Sequence, residues 1–324
     1  MQRKLKGDAY TLTIVRRKGG IGTTTTTTAL ATGLAARGYA TLILEGDDNR
    51  RLSRTLLGLD RESAPPVQDT QTTYHLFTHP DEGIGNSHFT LNIPALLQEI
   101  PGNRDAIFTQ RGWTNPAPLR IVPGSRSLRQ LEADFIYAAR SSHMPGFQPY
   151  LQLMRAIAVI RQDFDFILID TPSMLSLITM NEVMAAQYPL FLLDFDPDSR
   201  YDFDEALEFF RLVVSNCASI GAQPPQPLGV VLNKYTGSAE DEVLYRAYTQ
   251  EHYDEDIGGS ASPILPFPVL VRLPYDDAVM KRAMRKRRPV HVTDPQSALG
   301  NAMYQLGNVV EERLGLRPAI GAVR

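Results

Sequence analysis

The segment Arg17-Lys18-Gly19-Gly20-Ile21-Gly22-Thr23-Thr24-Thr25 constrains this chain most. It joins a short apolar run, Leu12–Val15, to a helical stretch that ends near Gly38. A strand, a glycine-rich turn and a helix in that order aim backbone N–H groups and a helix N-terminus at an anion. The usual phosphate-binding loop carries Lys directly before its Ser/Thr, and here that position is Thr23. The loop therefore predicts phosphate binding without its customary cation. Thr24 stands where a hydroxyl ligand for Mg²⁺ would sit. Six consecutive threonines, Thr23–Thr28, are poor helix formers. Their hydroxyls near a helix start are better explained as polar contacts than as core.

Apolar runs predict strands at Leu12–Val15, Ala40–Glu45, Leu119–Val122, Phe164–Asp170, Pro189–Asp194, Leu228–Leu232 and Val269–Leu273. Helical patterns fall near Thr24–Arg37, Leu128–Ala139, Tyr150–Gln162, Leu175–Ala186, Asp204–Ser215 and Glu240–Gln250, with two more at Asp276–Arg285 and Pro295–Arg313. Alternating strands and helices imply an α/β fold, doubly wound, with a mostly parallel sheet and helices on both faces. Such folds hold ligands at the carboxyl ends of their strands. Residues 61–118 break the rhythm: they are rich in Pro, Gly, Asn, Asp and Thr, and only Ile93–Ile100 looks helical. They read as a variable insertion, either an elaborated surface connection or a lid or partner surface. The expectation is one domain over residues 1–324, with that insertion and a helical, basic region at about 275–315.

The net charge of −3 means that any nucleic-acid contact must come from a local basic patch. A single cysteine, Cys217, excludes an internal disulfide and fits a reducing compartment. The basic start Met1-Gln2-Arg3-Lys4-Leu5-Lys6 is not followed by a long apolar region, so a signal peptide is not expected. No run approaches the roughly 20 apolar residues of a membrane span. Localisation is expected to be cytoplasmic, and nucleoid-associated if the chain binds DNA.

Further motifs follow in order: Glu45-Gly46-Asp47-Asp48-Asn49 after the second strand, Phe166-Ile167-Leu168-Ile169-Asp170-Thr171-Pro172, Leu119-Arg120-Ile121-Val122-Pro123-Gly124, Val230-Val231-Leu232-Asn233-Lys234 and Leu273-Pro274-Tyr275-Asp276. Each has a plainer meaning. Asp47 and Asp48 can end a strand in a turn, Asp170 can cap the next element, and Lys18 can be a solvated charge. Asn233-Lys234 begins a guanine-reading pattern, but Thr236 fills its last place. Taken together, these segments resemble the ParA/MinD family of deviant Walker ATPases, which reads Lys-Gly-Gly-x-Gly-Lys-Thr-Thr at the loop. The resemblance covers nearly everything except 61–118. It implies a P-loop NTPase fold and the cofactors ATP and Mg²⁺. Lys18, Gly19, Gly20, Ile21, Gly22, Thr23, Thr24 and Thr25 would bind nucleotide. Thr24 and Asp170 would hold the metal, Asp170 through water. Asp47 would position attacking water. Lys18 would be the signature lysine that reaches a partner's nucleotide across a sandwich dimer. Asn233 and Pro274 lie in its two base-contacting segments. Glu45 departs from the family's first aspartate.

Loss of the loop lysine removes a charge-assisted hydrogen bond of about 1.5–3 kcal/mol. Backbone amides, Mg²⁺, Lys18 and Arg16 or Arg17 remain to hold phosphate. Hydrolysis suffers more than binding, because charge grows on the phosphate oxygens in the transition state. The expectation is a slow ATPase, or a protein that binds and dimerises without useful turnover. Lys281, Arg282, Arg285, Lys286, Arg287 and Arg288 form a dense basic run whose i,i+4 pairs share a helix side. That run suits sequence-independent DNA contact, as in ParA relatives, against the alternative of a solvated face balanced by Asp276 and Asp277. A partner protein, ParB-like or another adaptor, would stimulate turnover. Pro318 and Gly321 argue against the membrane helix that ends MinD-like members. His75 and His79 have metal-compatible spacing but no third ligand. Two other functions stay open. One is a nucleotide-dependent scaffold, similar to the family's cellulose-secretion regulator with Thr at the same place. The other is a dinucleotide oxidoreductase, in which Gly20-x-Gly22-x-x-Thr25 binds pyrophosphate and Glu45 holds a ribose.

Overall fold

A computed structural model describes residues 7–57, 67–82, 84, 88–93, 116–140, 148–173, 175–196, 199–250, 252–254, 259–261 and 264–316. In chain order its principal elements are β1 (Tyr10–Val15), α1 (Thr23–Ala36), β2 (Thr41–Glu45), α2 (Arg51–Leu57), α3 (Thr73–Thr78), β3 (Phe89–Leu91), β4 (Leu119–Val122), α4 (Leu128–Arg140), α5 (Gln152–Ile160), β5 (Phe166–Asp170), α6 (Leu177–Ala185), β6 (Tyr188–Asp194), α7 (Ser199–Ser219), β7 (Gly229–Tyr235), α8 (Ala239–Thr249), β8 (His252–Asp254), β9 (Gly259–Ala261), β10 (Val269–Pro274), α9 (Asp277–Lys286), α10 (Val290–Thr293) and α11 (Ala298–Arg313).

Eight strands form one sheet in the order β10-β7-β6-β1-β5-β2-β4-β3. Every pairing is parallel except β3 with β4. Strands β2 and β5 are buried at every position, as strands covered on both faces must be. Alternate residues feed opposite layers. Phe166 and Leu168 join a core with Leu30 and Leu34 of α1 and Leu306 and Val310 of α11. Ile167 and Ile169 join a second core under α3, α4 and α5. Val15, Phe191 and Val230 pack under α6, α7 and α8 in a third.

The strand β1 lies between β6 and β5. The chain thus leaves β1 at the point where strand order reverses, which places its glycine-rich turn at the sheet's ligand-binding edge. All seven strands expected from apolar runs are present. Four departures from the sequence reading stand out. Ser199–Ser219 starts earlier and runs longer than the helical pattern suggested. The Tyr150–Gln162 pattern splits into a short 3-10 turn, α5 and a second 3-10 turn. Helix α2 was not expected at all. The segment 61–118 is more than a surface connection, because α3 and β3 lie within it and β3 extends the sheet antiparallel to β4. Thr73 explains how so short a helix forms there: its N–H donates to the Pro123 carbonyl at 2.8 Å and its Oγ1 to the Glu45 carbonyl at 2.9 Å. Of the helical reading Ile93–Ile100, all but Ile93 lies outside the described residues. No described helix is long and apolar enough to cross a membrane.

Candidate nucleotide site

Helix α1 starts on Gly22, which has φ 94° and ψ 20° and supplies no side-chain cap. Its first-turn N–H groups are thereby left for an external anion. Glycine is demanded here twice. The φ is left-handed, and a Cβ would lie 2.6 Å from Asn233 Nδ2. Asn233 Nδ2 in turn donates to the Ile21 carbonyl at 2.6 Å, so the end of β7 fixes the loop. The threonine run becomes helical because its hydroxyls find partners. Thr26 Oγ1 donates back to the Gly22 carbonyl at 2.9 Å, while Thr24 and Thr27 turn to Asp170. Thr23 differs. It is 2% exposed, and its buried Oγ1 finds no partner among the described residues.

Asp170 ends β5 beside the loop. Its Oδ2 accepts from Thr24 Oγ1 at 3.0 Å and its Oδ1 from Thr27 Oγ1 at 3.2 Å. Burial pushes its carboxyl up to about 6, against the pull of Arg16 and the two hydroxyls. Arg16 binds this ground together, with Nη1 donating to the Lys18 carbonyl at 3.2 Å and Nη2 to that of Thr171 at 3.4 Å. Burial lowers its pKa, although Asp170 and Asp47 raise it, and its buried Nε has no partner among the described residues. Asp47 closes a turn by accepting from the Asn49 N–H at 2.8 Å, the plainer role foreseen for it, while its carboxylate still acts on Asp170 and Arg16. A hard-oxygen donor pair, Thr24 and Asp170, suits Mg²⁺. Gly20 and Gly22 to Thr25 line a cavity of about 500 Å³, faced by Arg51 and Arg54 of α2 and by Met280, Met284, Arg287 and Arg288.

A family model described as "AAA domain" matches residues 9–217, a span that takes in this loop, Asp47 and Asp170. The chain belongs to that AAA domain family. Protein SopA of Escherichia coli K12 is 25% identical over 312 residues, which cover 96% of this chain and 65% of SopA. The chain thus spans just under two-thirds of that relative's length. Chromosome partitioning protein ParA of Caulobacter vibrioides is 28% identical over 54% of this chain and 52% of its own. A Cyanothece McdA variant solved with ATP shares the fold at TM-score 0.66 and 16% identity, covering 96% of this chain and 98% of that one. The fold is that of ParA/MinD-like P-loop ATPases.

Within this family member the other expected site residues divide. Lys18 Nζ donates to Asp196 Oδ2 at 2.9 Å and lies 3.8 Å from Asp194 Oδ2; the bond to Asp196 raises its pKa. Pro274 ends β10 half-buried, and Tyr275 N–H ties it to β7 by donating to the Tyr235 carbonyl at 2.8 Å. The basic run is split. Lys281 pairs with Asp277 at 2.6 Å and Arg282 with Asp294 at 3.0 Å. Arg285 and Lys286 are exposed, and Arg287 and Arg288 line the cavity. His75 and His79 sit on α3 and its C-cap, with rings stacked 4.9 Å apart. No group of three metal-binding side chains occurs among the described residues. Glu45, the acid required by a dinucleotide reading, is wholly buried. Its carboxylate accepts from Leu52 N–H at 2.7 Å, Ser53 Oγ at 2.6 Å and Gly124 N–H at 3.1 Å, so no ribose can reach it.

Sequence reasoning missed Arg51, Arg54, Asp196 and Glu182. The first two follow the aspartate segment closely enough to have been suspected. Glu182 carried no signal: it lies inside an apolar helix, fully buried, its oxygens without a partner among the described residues. Burial, then Asp170 and Asp47, hold its carboxyl well above the usual range.

Proposed function

We propose that this chain is a ParA-like positioning protein that binds ATP with Mg²⁺ at Lys18–Thr25. Two copies pair across the nucleotide, and turnover is slow or absent. The carrying observation is the uncapped start of α1 with Thr24 and Thr27 bonded to Asp170 at its foot. Thr24 and Asp170 would hold Mg²⁺, which when bound supplies positive charge to the phosphates. Asn233 and Pro274, at the ends of β7 and β10, would flank the base. Lys18 would exchange Asp196 for the partner's phosphates on pairing. Asp47 would orient water. Slow turnover follows from Thr23, a buried neutral side chain where the cation is needed. The names of the relatives support a partition or positioning role. Non-specific DNA and a stimulating ParB-like protein are the partners proposed, with Arg285 and Lys286 as the exposed cations for DNA.

Sedimentation with and without ATP·Mg²⁺, beside ATPase rates with and without DNA, tests this reading. Nucleotide-dependent dimers with weak turnover support it. Monomers under every condition contradict it. Dimers with no turnover and no DNA affinity at low salt move the chain to a nucleotide-dependent scaffold, a class favoured by the split of the basic run.

A further inference from the structure

Two lysines share one buried carboxylate beside the loop. Asp194 ends β6 with its side chain 4% exposed, and its Oδ2 lies 2.9 Å from Lys234 Nζ and 3.8 Å from Lys18 Nζ. Its Oδ1 accepts from Ser199 Oγ at the start of α7. Asp194 and Asn233 are register partners in the parallel pair of β6 and β7, so the end of β7 brings Lys234 alongside. The same strand end holds the loop, because Asn233 Nδ2 donates to the Ile21 carbonyl, and it is itself held by Phe195 N–H, which donates to the Asn233 carbonyl at 2.9 Å. Lys234 has φ 61°, a left-handed backbone on a residue with a Cβ. Such a conformation persists only where the surroundings over-determine it. Lys18 makes its closest contact with Asp196, whose side chain is 38% exposed. The two acids differ in what the departure of Lys18 would cost. Water can take its place at Asp196. At Asp194 a buried carboxylate deprived of its counter-charge is strongly disfavoured. Lys234 removes that penalty, because it stays with Asp194 when Lys18 leaves.

We infer that Lys234 is a positioning residue for Lys18: by neutralising Asp194 from β7, it lets Lys18 leave its own subunit's acids and cross to a second subunit's nucleotide. Two ammonium groups on one carboxylate oxygen also repel each other, which favours the departure of the more loosely held one. The inference rests on the nucleotide reading above and adds the contact within the subunit that pairing must break.

Sedimentation of the full chain over a series of AMPPNP·Mg²⁺ concentrations tests it, by giving the midpoint at which half the chains are paired. Lys234→Gln should raise that midpoint by about tenfold or more, because Lys18 must then leave Asp194 stranded. Asp196→Asn should lower it by about two- to fivefold. Asp194→Asn removes the charge that Lys234 answers, so in that background Lys234→Gln should move the midpoint by less than about twofold. Damage to the loop or to base binding through Asn233 would persist there. A Lys234→Gln chain that melts like wild type and pairs within about twofold of its midpoint overturns the inference and leaves the nucleotide reading intact. An equal effect of Lys234→Gln in both backgrounds does the same. Should Lys234→Gln alone fail to fold, the Asp194→Asn chain with and without it decides: midpoints within about twofold support the inference, and a gap of about tenfold overturns it. A wild type that stays monomeric at millimolar AMPPNP removes both the inference and the nucleotide reading.

Discussion

At the scale of single residues, close approaches around Asp47 decide what substitution does. A Cβ on Gly124 would lie 2.2 Å from the Asp47 carbonyl and 3.1 Å from that of Glu45, both backbone. Gly124→Ala must therefore shift the aspartate loop itself, at a cost of about 1–3 kcal/mol or more in urea denaturation. A Cβ on Gly46 would meet the Glu182 carboxyl at 1.6 Å, the end of a side chain that can turn. Gly46→Ala is therefore expected to cost less than Gly124→Ala, and the reverse order would refute this packing. Glu182 also predicts a pH effect. Its folded pKa lies above the unfolded one, chiefly through burial. The stability it contributes is therefore complete below the unfolded value near 4.5 and is lost as pH rises through the folded value. Glu182→Gln keeps the shape without the titration. It should be more stable than wild type at pH 8, with the advantage vanishing near pH 4. A gap that does not change with pH would show that Glu182 ionises freely in the fold.

At the scale of elements, α2 shows why part of this molecule was hidden in its sequence. Glu45 caps it from the preceding strand by accepting from the Leu52 and Ser53 N–H groups, and it grips Ser53 Oγ and Gly124 N–H as well. Glu45→Ala leaves several buried donors bare and should cost about 2 kcal/mol or more. It should also loosen the Arg51 and Arg54 wall, seen as weaker AMPPNP binding; unchanged stability and binding would contradict the capping role. Helices held by such distant contacts carry little periodicity of their own, which is why α2 and α3 escaped sequence reading. Strands β2 and β5 were plain because every residue is buried and apolar runs mark them. The same contrast runs through the site. Gly19 to Thr25 are consecutive and legible, and Asp170 follows an obvious strand. The facing arginines at 51, 54, 287 and 288 converge only through the sheet order. Arg287 and Arg288 were therefore legible only as part of one basic stripe.

At the scale of the whole molecule, the last helix is tied to the loop's helix by a buried ion pair. Arg37 Nε lies 3.2 Å from Glu311 Oε2, with side chains 3% and 0% exposed. Tyr39 OH donates to Glu311 Oε1 at 2.9 Å, and Arg37 Nη2 to Asn308 Oδ1 at 2.9 Å. Removing one member of such a pair strands the other in a dry core. Arg37→Ala should cost about 3–5 kcal/mol, lowering the urea midpoint with little change in slope; a cost below about 1 kcal/mol would mean that the pair is solvated. This pair ties the C-terminal end of α1, the helix that begins at the phosphate loop, to α11. The central claim is that this loop, though it lacks a lysine, closes around a triphosphate and thereby joins two subunits. Sedimentation equilibrium of wild-type chain in millimolar AMPPNP and Mg²⁺, against AMP and against no nucleotide, tests it most directly. Twice the subunit mass is expected with AMPPNP alone, and the single-subunit mass in the other two. One unchanging mass in all three would contradict it.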